Sequence, residues 1–430
     1  MSRPLRVLVP TLAIAVVLGV VALAAPTTAA TRAAATQVAA RTTTPWSPRS
    51  GPVFNDANGT WPERNRIARK IIRSIDGSKK GSTIRIATWS FFTRPALHAL
   101  IRAHQRGVSV RLVMASGRAK QSPNYWTLKR ALKKGNRKRP PAMRSGARTC
   151  RATCRGTHGT LHSKLFLFSK VGHARDITMW GSPNLTSSAV RIQWNDLYTE
   201  ANRKGLFDYA SKIYRQLWRD QPVKDGYRVK NFGRVGFSAL PYHGTSDWIT
   251  KQLRKVRCSG AKGWGTVNGH TRIKIAQAVI RGTLGNRISR HLKSLYDSGC
   301  EVTILYSVRG RSVAKILESH SGRGAIPMRH FVQDTNGDGL YDKYLHMKVL
   351  AISGHIGSDP SAKLVMNGSE NWANMSYHND EIVGYFHNKS YRQYSRWLTY
   401  LWRHVPVSVP PTYYARTRPP TNPYANLELD

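Results

Sequence analysis

Two matching stretches decide the fold: Leu161-His162-Ser163-Lys164-Leu165-Phe166-Leu167-Phe168 and Leu345-His346-Met347-Lys348-Val349-Leu350-Ala351-Ile352. Each places a histidine and a lysine two residues apart at the start of an apolar run. In a β-strand, residues i and i+2 point to the same face, so each imidazole and ammonium should share one pocket. A Gly-Ser-x-Asn sequence follows each run, at 181–184 and at 368–371. The repeat predicts a doubled site for phosphate.

The two stretches are related by duplication. Three pairs of residues share one spacing of 184 positions: His162 with His346, Asp196 with Asp380, and Trp218 with Trp402. In each half a strand, a helix and a second strand follow one another, and a glycine ends the helix. This order predicts a mixed sheet covered by helices in each half. After Asn184 we expect an aromatic-rich helix that runs to Trp218.

The length of 430 residues exceeds that of a usual single domain, and with the duplication it predicts two similar α/β lobes. Charge, hydrophobic periodicity and proline content divide the chain into six segments: a signal peptide (1–30), a linker (31–52), a first lobe (53–222), a second linker (223–246), a second lobe (247–405) and a proline-rich tail (406–430).

The N-terminus has the pattern of a secretory signal. Arg3 and Arg6 precede an apolar stretch from Val7 to about Ala25, and small residues follow as far as Ala30. An uncleaved single-span anchor is the alternative, because about 18 apolar residues approach the length that spans a bilayer. We expect a secreted, extracellular protein.

The charge balance is strongly basic. Lys and Arg number 68 against 22 Asp and Glu, so the formal net charge is +46. Such a charge attracts polyanions, which include nucleic acid, anionic lipid surfaces and anionic cell-wall polymers. From Gly117 to Leu161 there is no acidic residue, and basic residues surround Tyr125 and Trp126. This mixture suits a phosphate backbone or an anionic interface, although a solvated helix face is an equal alternative.

Four cysteines in an oxidising compartment allow three disulfide pairings. We prefer Cys150 with Cys154 and Cys258 with Cys300, because each pair then lies within one half of the duplication. Zinc bound by Cys150 and Cys154 is the rival interpretation, but no second ligand pair has a suitable spacing.

One acidic segment partly matches a calcium-binding loop. Four side chains with oxygen atoms take positions 1, 3, 5 and 9 of the pattern: Asp334, Asn336, Asp338 and Asp342. Gly339 stands at position 6, but position 12 is Leu345 instead of a bidentate Glu. The alternative is a turn rich in Asx residues. A structural Ca²⁺ here would stiffen the strand before His346 without taking part in catalysis.

Two histidines suit the cleavage of a phosphodiester. One imidazole can attack phosphorus and hold the phosphoryl group covalently, while the other protonates the leaving alkoxide. The second histidine then acts as a base and activates water or an alcohol to release the intermediate. His162 and His346 are the candidates for these two roles.

The other motif residues are assigned to the phosphate group. The lysines would neutralise its non-bridging oxygens, so that no metal or other cofactor is required for catalysis. The asparagines would donate hydrogen bonds as charge builds, and the serines would bind substrate. The residues are Lys164, Lys348, Asn184, Asn371, Ser182 and Ser369.

Each histidine needs a partner that fixes its tautomer. The carboxylates at the matched spacing, Asp196 and Asp380, are the candidates, and Glu381 is the alternative in the second half. Caps of helices or turns are the other interpretation of these aspartates.

With its two His-x-Lys and Gly-Ser-x-Asn motifs, the chain resembles the phospholipase D superfamily over most of residues 55–405. The resemblance implies an α/β fold of two duplicated sandwich lobes related by a pseudo-twofold axis, with the active site at the lobe interface. It also implies a phosphohistidine intermediate and metal-independent hydrolysis or transphosphatidylation. In secreted relatives the first histidine is usually the nucleophile, which assigns that role to His162 and the acid/base role to His346.

The chain departs from the family pattern in both halves. The family motif has an Asp five residues after the lysine, and here Ser169 and Ser353 stand at those places. We expect activity to survive, because that Asp is thought to be mainly structural and Ser can still cap a turn. The double replacement indicates an atypical branch, which weakens any inference about substrate.

Three functions follow from these features. The expected one is a secreted, monomeric, two-lobed phosphodiesterase that cleaves or transfers the phosphodiester of phospholipids at an anionic membrane surface. The first alternative is a secreted metal-independent nuclease with the same chemistry. The second is an inactive protein that binds polyanions, which the intact His, Lys and Asn residues of both motifs disfavour.

Overall fold

The structure is a computed structural model that describes residues 45–242, 247–387, 390–407, 422–425 and 427. The predicted signal peptide (1–30) lies outside these residues, as do most of the linker at 31–52 and much of the tail at 406–430. Over the described ranges, no helix combines the length and the apolar character that crossing a membrane requires.

The first half of the chain alternates strands and helices. In α2, isoleucines four residues apart, Ile67, Ile71 and Ile75, are buried on one face, and Gly77 ends the helix. The elements are β1 (Gly51–Phe54), α1 (Trp61–Arg64), α2 (Arg66–Asp76), β2 (Thr83–Thr88), α3 (Arg94–Gln105), β3 (Ser109–Ala115), α4 (Ser116–Lys120), α5 (Pro123–Lys134), β4 (Gly146–Cys150), β5 (Leu165–Val171), β6 (Ala174–Gly181), α6 (Ser187–Arg191), β7 (Gln193–Trp194), β8 (Asp196–Glu200) and α7 (Lys204–Arg219).

The second half repeats much of this order. Its elements are β9 (Arg228–Phe232), β10 (Val235–Ala239), α8 (Trp248–Leu253), β11 (Val256–Arg257), β12 (Arg272–Ile280), α9 (Gly282–Asp297), β13 (Glu301–Arg309), α10 (Arg311–Leu317), β14 (Met328–His330), β15 (Val332–Gln333), β16 (Lys343–Leu345), β17 (Lys348–Ile356), β18 (Asp359–Gly368), β19 (Ile382–Phe386) and α11 (Ser390–His404). Short 3₁₀ turns lie at Pro141–Met143 and Asn374–Tyr377.

The two large sheets share one strand order. The first runs β1-β8-β6-β5-β2-β3-β4, and the second runs β9-β10-β19-β18-β17-β12-β13-β14, with β11 beside β17. Six strands correspond in order: β8, β6, β5, β2, β3 and β4 of the first sheet match β19, β18, β17, β12, β13 and β14 of the second. In both sheets the last three of these strands run parallel to one another, and the other neighbouring strands are antiparallel. The predicted α/β fold of two duplicated lobes is confirmed.

One core lies between the two lobes, and each lobe has a second core on its outer face. The shared core includes residues of β5, β6, β8, α7, β17, β19 and α11. The outer face of the first sheet packs on α2, α3 and α5, and that of the second packs on α8, α9 and α10. The two sheets therefore meet through their inner faces, with α7 and α11 packed into the same shared core.

Aromatic side chains fix the contact between the lobes. Tyr198 in β8 stacks on Phe386 in β19 with ring centroids 4.1 Å apart. Trp180 in β6 donates from Nε1 to Asn367 Oδ1 in β18 at 2.8 Å. A Cβ atom at Gly384 would lie 2.0 Å from the Trp180 indole, so only glycine permits this approach.

Two expectations about local structure are wrong. Residues 193–200 form β7 and β8 where a continuous helix was expected, because Leu197, Tyr198 and Thr199 form a fully buried strand between β1 and β6. The segment 223–246, expected as a linker, contains β9 and β10. Strand β10 pairs with β19, so this segment extends the second sheet.

Both preferred disulfides are confirmed. Cys150 is bonded to Cys154 at the end of β4, and Cys258 is bonded to Cys300 in the second lobe. The first bond closes a short loop that leads towards His162.

Candidate active site

The motif histidines lie at strand entrances, not inside strands. His162 and Lys164 directly precede β5, and His346 lies between β16 and β17, whose first residue is Lys348. Both imidazoles are buried, with relative exposures of 0% and 1%.

Backbone hydrogen bonds join each histidine to the opposite lobe. His162 N donates to Asp380 O and His346 N donates to Trp194 O, both at 3.0 Å. Leu161 forms a parallel bridge with Asp380, and β16 pairs in parallel with β7. The structure thus brings both motifs to the junction of the lobes.

The imidazoles are held by side chains that also cross the junction. His162 Nδ1 lies 2.7 Å from Glu381 Oε1, and both side chains are fully buried. His346 Nδ1 lies 2.9 Å from Asn195 Oδ1. Each histidine therefore takes its partner from the other lobe. One partner is a carboxylate and the other is a neutral amide, so the two imidazoles have different electrostatic environments.

The prediction that Asp196 and Asp380 orient the histidines needs correction. The partners are their sequence neighbours, Asn195 and the alternative Glu381. Ser182 N donates to Asp196 O, and Ser369 N donates to Ile382 O. Asp196 therefore corresponds to Ile382 in the other lobe, and its spacing of 184 from Asp380 is a coincidence.

The third pair with that spacing is equivalent in the structure. Arg148 Nη1 donates to Trp218 O, and Arg329 Nη1 donates to Trp402 O. The two tryptophans lie on α7 and α11, next to corresponding strands β4 and β14. The duplication inferred from the sequence therefore holds for the histidines and tryptophans.

Asp196 and Asp380 instead join the lobes. Asp196 Oδ2 accepts hydrogen bonds from Asn367 Nδ2 at 2.6 Å and from the Tyr394 hydroxyl at 2.7 Å. Asp380 Oδ2 accepts one from Cys154 N, which attaches the disulfide loop to the second lobe. Burial raises the pKa of Asp196 to about 6 and that of Asp380 to about 7.

The motif serines support the histidine partners. Ser182 Oγ donates to Asn195 Oδ1 at 2.8 Å, and Ser369 Oγ donates to Glu381 Oε2. Their amides are used in the backbone bonds described above. Hydroxyl and amide of both serines are therefore engaged within the protein, which indicates a positioning role, and the role in substrate binding stays a prediction.

The two lysines make the same contact in both lobes. Lys164 Nζ donates to His162 O at 2.7 Å, and Lys348 Nζ donates to His346 O at 2.8 Å. Both ammonium groups are buried. Each lysine is thereby fixed beside the histidine of its own motif, where it can contribute positive charge to the site.

The motif asparagines are also buried. Asn184 is 3% exposed, and neither end of its side-chain amide has a hydrogen-bond partner among the described residues. Unpaired buried amides are rare in proteins, so this group is available to a ligand. Asn371 holds the corresponding place in the second lobe and is 5% exposed.

A third carboxylate of the second lobe lies close to the site. Glu370, between Ser369 and Asn371, is buried and accepts a hydrogen bond from the Tyr242 hydroxyl at 3.3 Å. Burial, together with the charges of Asp247 and Glu381, raises the pKa of Glu370 well above its usual value. This shift favours the neutral form of the side chain.

Sequence reasoning missed Asn195 and passed over Glu381 as first choice, although a signal was present. Each residue directly precedes a fully buried strand, β8 or β19. They follow Ser182 and Ser369 by 13 and 12 residues respectively. A search for a polar residue 12 or 13 positions after the serine of each Gly-Ser-x-Asn motif would have identified both Asn195 and Glu381.

The two serines that replace the family aspartate have different contacts. Ser169 Oγ accepts a hydrogen bond from Thr83 N at 2.8 Å, at the first residue of β2. Ser353 Oγ donates to Trp264 O at 2.9 Å and fixes the loop that carries this tryptophan. Both serines support backbone segments and leave the histidines in place.

The segment proposed as a calcium loop forms an Asx-rich turn. Asp334 accepts hydrogen bonds from Gly337 N and Gly339 N, and Asp342 accepts one from Thr335 N. Asn336 Oδ1 accepts from Asp338 N, and Asp338 Oδ1 accepts from Leu340 N. In the part of the chain that is described, no group of three or more His, Cys, Asp or Glu residues has the arrangement to hold a metal ion.

Comparison with known proteins gives a family match and several structural neighbours. A family model described as "Cardiolipin synthase, PLD-like domain" matches residues 71–218. No curated protein matches the sequence. The structure of phosphatidylserine synthase from Haemophilus influenzae Rd KW20 is similar with a TM-score of 0.55 and 13% identity, over 83% of this chain and 87% of that chain. At this identity the likeness supports the fold.

Two other solved structures are more distant. Polyphosphate kinase from Porphyromonas gingivalis has a TM-score of 0.48 and 12% identity over 83% of this chain, which spans half the length of that protein. Nuc, a phospholipase D family member from Salmonella typhimurium, has a TM-score of 0.31 and 18% identity, over 40% of this chain and 96% of its own.

Proposed function

We propose that the chain is a member of the phospholipase D superfamily and a metal-independent phosphodiesterase that cleaves or transfers the phosphodiester of phospholipids through a phosphohistidine. The observation that carries this proposal is the crossed pair of hydrogen bonds, His162 with Glu381 and His346 with Asn195. Each motif histidine is oriented by the opposite lobe, so both act at one junction.

His162 is the nucleophile. Glu381 accepts the proton of His162 Nδ1, which leaves the lone pair of Nε2 to attack phosphorus. Phosphorylation makes the imidazole ring cationic, and the buried Glu381 carboxylate at 2.7 Å stabilises that charge. The neutral partner of His346 provides no such stabilisation.

His346 is the general acid and then the general base. Asn195 Oδ1 also accepts a hydrogen bond from Ser182, which orients its oxygen towards His346. His346 Nδ1 therefore carries a proton, and Nε2 gives its proton to the leaving alkoxide. A neutral amide partner favours release of this proton. In the second step, neutral Nε2 takes a proton from water or an alcohol that attacks the phosphorus.

The lysines and asparagines stabilise the phosphoryl oxygens. Lys164 and Lys348 supply positive charge from fixed positions, and the buried amide of Asn184 is available to hydrogen-bond an oxygen. In a buried site such fixed donors act more strongly than they would in water. These groups carry the role that a metal ion takes in other phosphodiesterases.

Phospholipid is the favoured substrate. The family description and the name of the Haemophilus structure both refer to enzymes of phospholipid synthesis. A net charge of +46 supports action at an anionic membrane surface. The same charge favours the alternative function, a metal-independent nuclease, because Lys129 lies 5.1 Å from the ring of exposed Trp126 on α5, in a stretch without acidic residues.

The setting of the reaction is proposed to be extracellular, with the chain acting as a monomer of two lobes. Two disulfides and the signal pattern at the N-terminus support export. A structural Ca²⁺ at 334–342 remains a separate proposal that rests on the sequence pattern alone, since the turn's carboxylates are hydrogen-bonded to the backbone.

Purified mature protein should be assayed with a chelator present on phosphatidylcholine, phosphatidylglycerol and DNA. We expect release of a headgroup alcohol from lipid. Cleavage of DNA alone would replace the lipid proposal with the nuclease. His162→Ala and His346→Ala should each abolish turnover of lipid, and either variant with near wild-type rate would refute the mechanism.

A further inference from the structure

One aromatic side chain connects the buried site to a cation at its rim. Trp89, directly after β2, makes an edge contact with the His162 ring at a centroid distance of 5.9 Å. Lys164 Nζ lies 5.8 Å from the Trp89 ring, and the Arg118 guanidinium lies 4.6 Å from it. Trp89 and Arg118 are half-buried, whereas His162 is fully buried. The indole therefore lies between the nucleophile and a partly exposed guanidinium.

Arg118 is held in this place by several contacts. Its guanidinium also lies 5.5 Å from the Phe92 ring, and Nη1 donates to Gln121 Oε1 at 3.2 Å. The residue belongs to α4, which follows β3 at the edge of the sheet that faces the site. Stacking on aromatic rings leaves the planar fork of an arginine suited to binding a phosphate.

The second lobe has a different side chain at the place of Trp89. Phe91 bridges Leu185 and Ile280 bridges Trp372, so β2 and β12 correspond with Phe91 matching Ile280. Trp89 then corresponds to Ala278, which is buried in a small apolar cluster with Val279 and Ala373. The aromatic ring that holds Arg118 in the first lobe thus has no counterpart at Ala278 in the second.

The surroundings on the first lobe are also cationic. Between Gly117 and Leu161 the sequence holds no acidic residue, and α5 follows α4 with Lys129, Lys133 and Lys134. A cationic headgroup placed against this wall would be repelled, whereas an anionic group would be attracted.

We propose that Arg118, positioned by Trp89, binds a second phosphate group of the substrate next to the scissile phosphodiester. This proposal rests on the function proposed above and narrows its substrate to phosphodiesters that carry a neighbouring phosphate. A lipid with two phosphates and a nucleic-acid strand both carry a phosphodiester with a neighbouring phosphate. The proposed function favours the lipid as the substrate.

The test compares Arg118→Gln with Lys120→Gln, which removes one charge from the same short helix. The substrates are cardiolipin in detergent micelles, phosphatidylcholine in the same micelles, a thymidine oligonucleotide, and bis(4-nitrophenyl) phosphate, which has a single phosphate. Arg118→Gln should lose roughly tenfold or more in kcat/KM on cardiolipin, mainly through KM, because a hydrogen-bonded charge pair is lost. On bis(4-nitrophenyl) phosphate it should stay within about twofold of wild type.

Lys120→Gln should change kcat/KM on cardiolipin and on bis(4-nitrophenyl) phosphate by less than about threefold. An equal loss on all substrates in Arg118→Gln would overturn the proposal, because Arg118 would then support the site as a whole. An unchanged rate on cardiolipin would also overturn it. A selective loss on the oligonucleotide alone would keep the second-phosphate subsite and assign it to nucleic acid.

A binding experiment separates this proposal from the proposed function. Calorimetric titration of the His162→Ala protein with glycerol 1,3-bisphosphate and glycerol 3-phosphate needs no turnover. We expect tighter binding of the bisphosphate, and loss of that preference when Arg118→Gln is added. Equal affinities in the protein that retains Arg118 would refute the subsite, even if the enzyme is active.

Discussion

The replacement Glu381→Gln tests whether the carboxylate of the second lobe assists His162 of the first lobe in catalysis. The glutamine oxygen can still accept the hydrogen bond from His162 Nδ1. Its amide group then faces the Ser369 hydroxyl, which can accept instead of donating. The shape and most hydrogen bonds are retained, and the buried negative charge is removed. The variant therefore isolates the charge of Glu381 from its size.

The expected loss follows from the geometry of this contact. A hydrogen bond to a charged group contributes about 1.5–3 kcal/mol, and one between neutral groups contributes about 1 kcal/mol. His162 becomes cationic as it is phosphorylated, so the difference of about 1–2 kcal/mol raises the activation barrier. This corresponds to a fall in kcat of roughly 5- to 30-fold. KM should change little, because Glu381 is fully buried and its two carboxylate oxygens contact His162 and Ser369.

Steady-state rates on the best phospholipid give the measurement, and Glu370→Gln gives a matched control. Glu370 is a buried acid in the same region, but its carboxyl accepts a hydrogen bond from Tyr242 and its raised pKa favours the neutral form, so the change to glutamine removes no charge from the contact with His162. We expect Glu370→Gln to keep kcat within about threefold. Glu381→Gln with wild-type kcat, or an equal loss in both variants, would refute the role given to the Glu381 charge.

Asn195→Asp should lower kcat on lipids about tenfold while affecting a nitrophenyl ester less, because a carboxylate would hold the acid proton of His346 more tightly; equal effects would contradict this. Asp380 has a pKa of about 7 in the folded chain against 3.8 when unfolded. The protonated Asp380 side chain therefore contributes stability that is full below pH 4 and is lost as the pH rises through 7. Urea unfolding should show this as a difference in the free energy of unfolding between wild type and Asp380→Asn, which falls by up to about 4 kcal/mol over that pH range. If the turn at 334–342 binds calcium, a chelator will lower the melting temperature, and an unchanged midpoint would reject the ion.

Much of the fold could be predicted because the two halves carry the same local signals. The apolar runs after the His-x-Lys motifs form β5 and β17, and the Gly-Ser-x-Asn motifs begin at the last residue of β6 and of β18. The cysteine pairs followed from the assumption that each disulfide stays within one half. These features depend on contacts close in sequence or within one repeat.

The partners of the histidines depend on contacts between repeats, which one sequence does not reveal. Glu381 lies 219 residues from His162, and Asn195 lies 151 residues from His346. A spacing of 184 shared by Asp196 and Asp380 directed the prediction to the wrong residues. The repeats differ in loop length, so equal spacing is a poor guide once a loop intervenes.

The strand β8 was missed for a different reason. Aromatic residues are common on both sides of Glu200, so the stretch before it had the composition of the helix after it. The β-branched and aromatic residues of β8 are fully buried between β1 and β6, and tertiary packing decides their conformation. Asn195 precedes this strand, so the error in the strand concealed the partner of His346.

The central claim is that His162 attacks phosphorus while His346 serves the leaving group and the incoming water. His346→Ala mixed rapidly with bis(4-nitrophenyl) phosphate tests it, because nitrophenolate leaves without an acid and the intermediate then lacks its base. We predict a burst of about one nitrophenolate per protein molecule and a phosphoryl adduct on the peptide that contains His162, found by mass spectrometry. A missing burst, or an adduct on any other residue, would contradict the account.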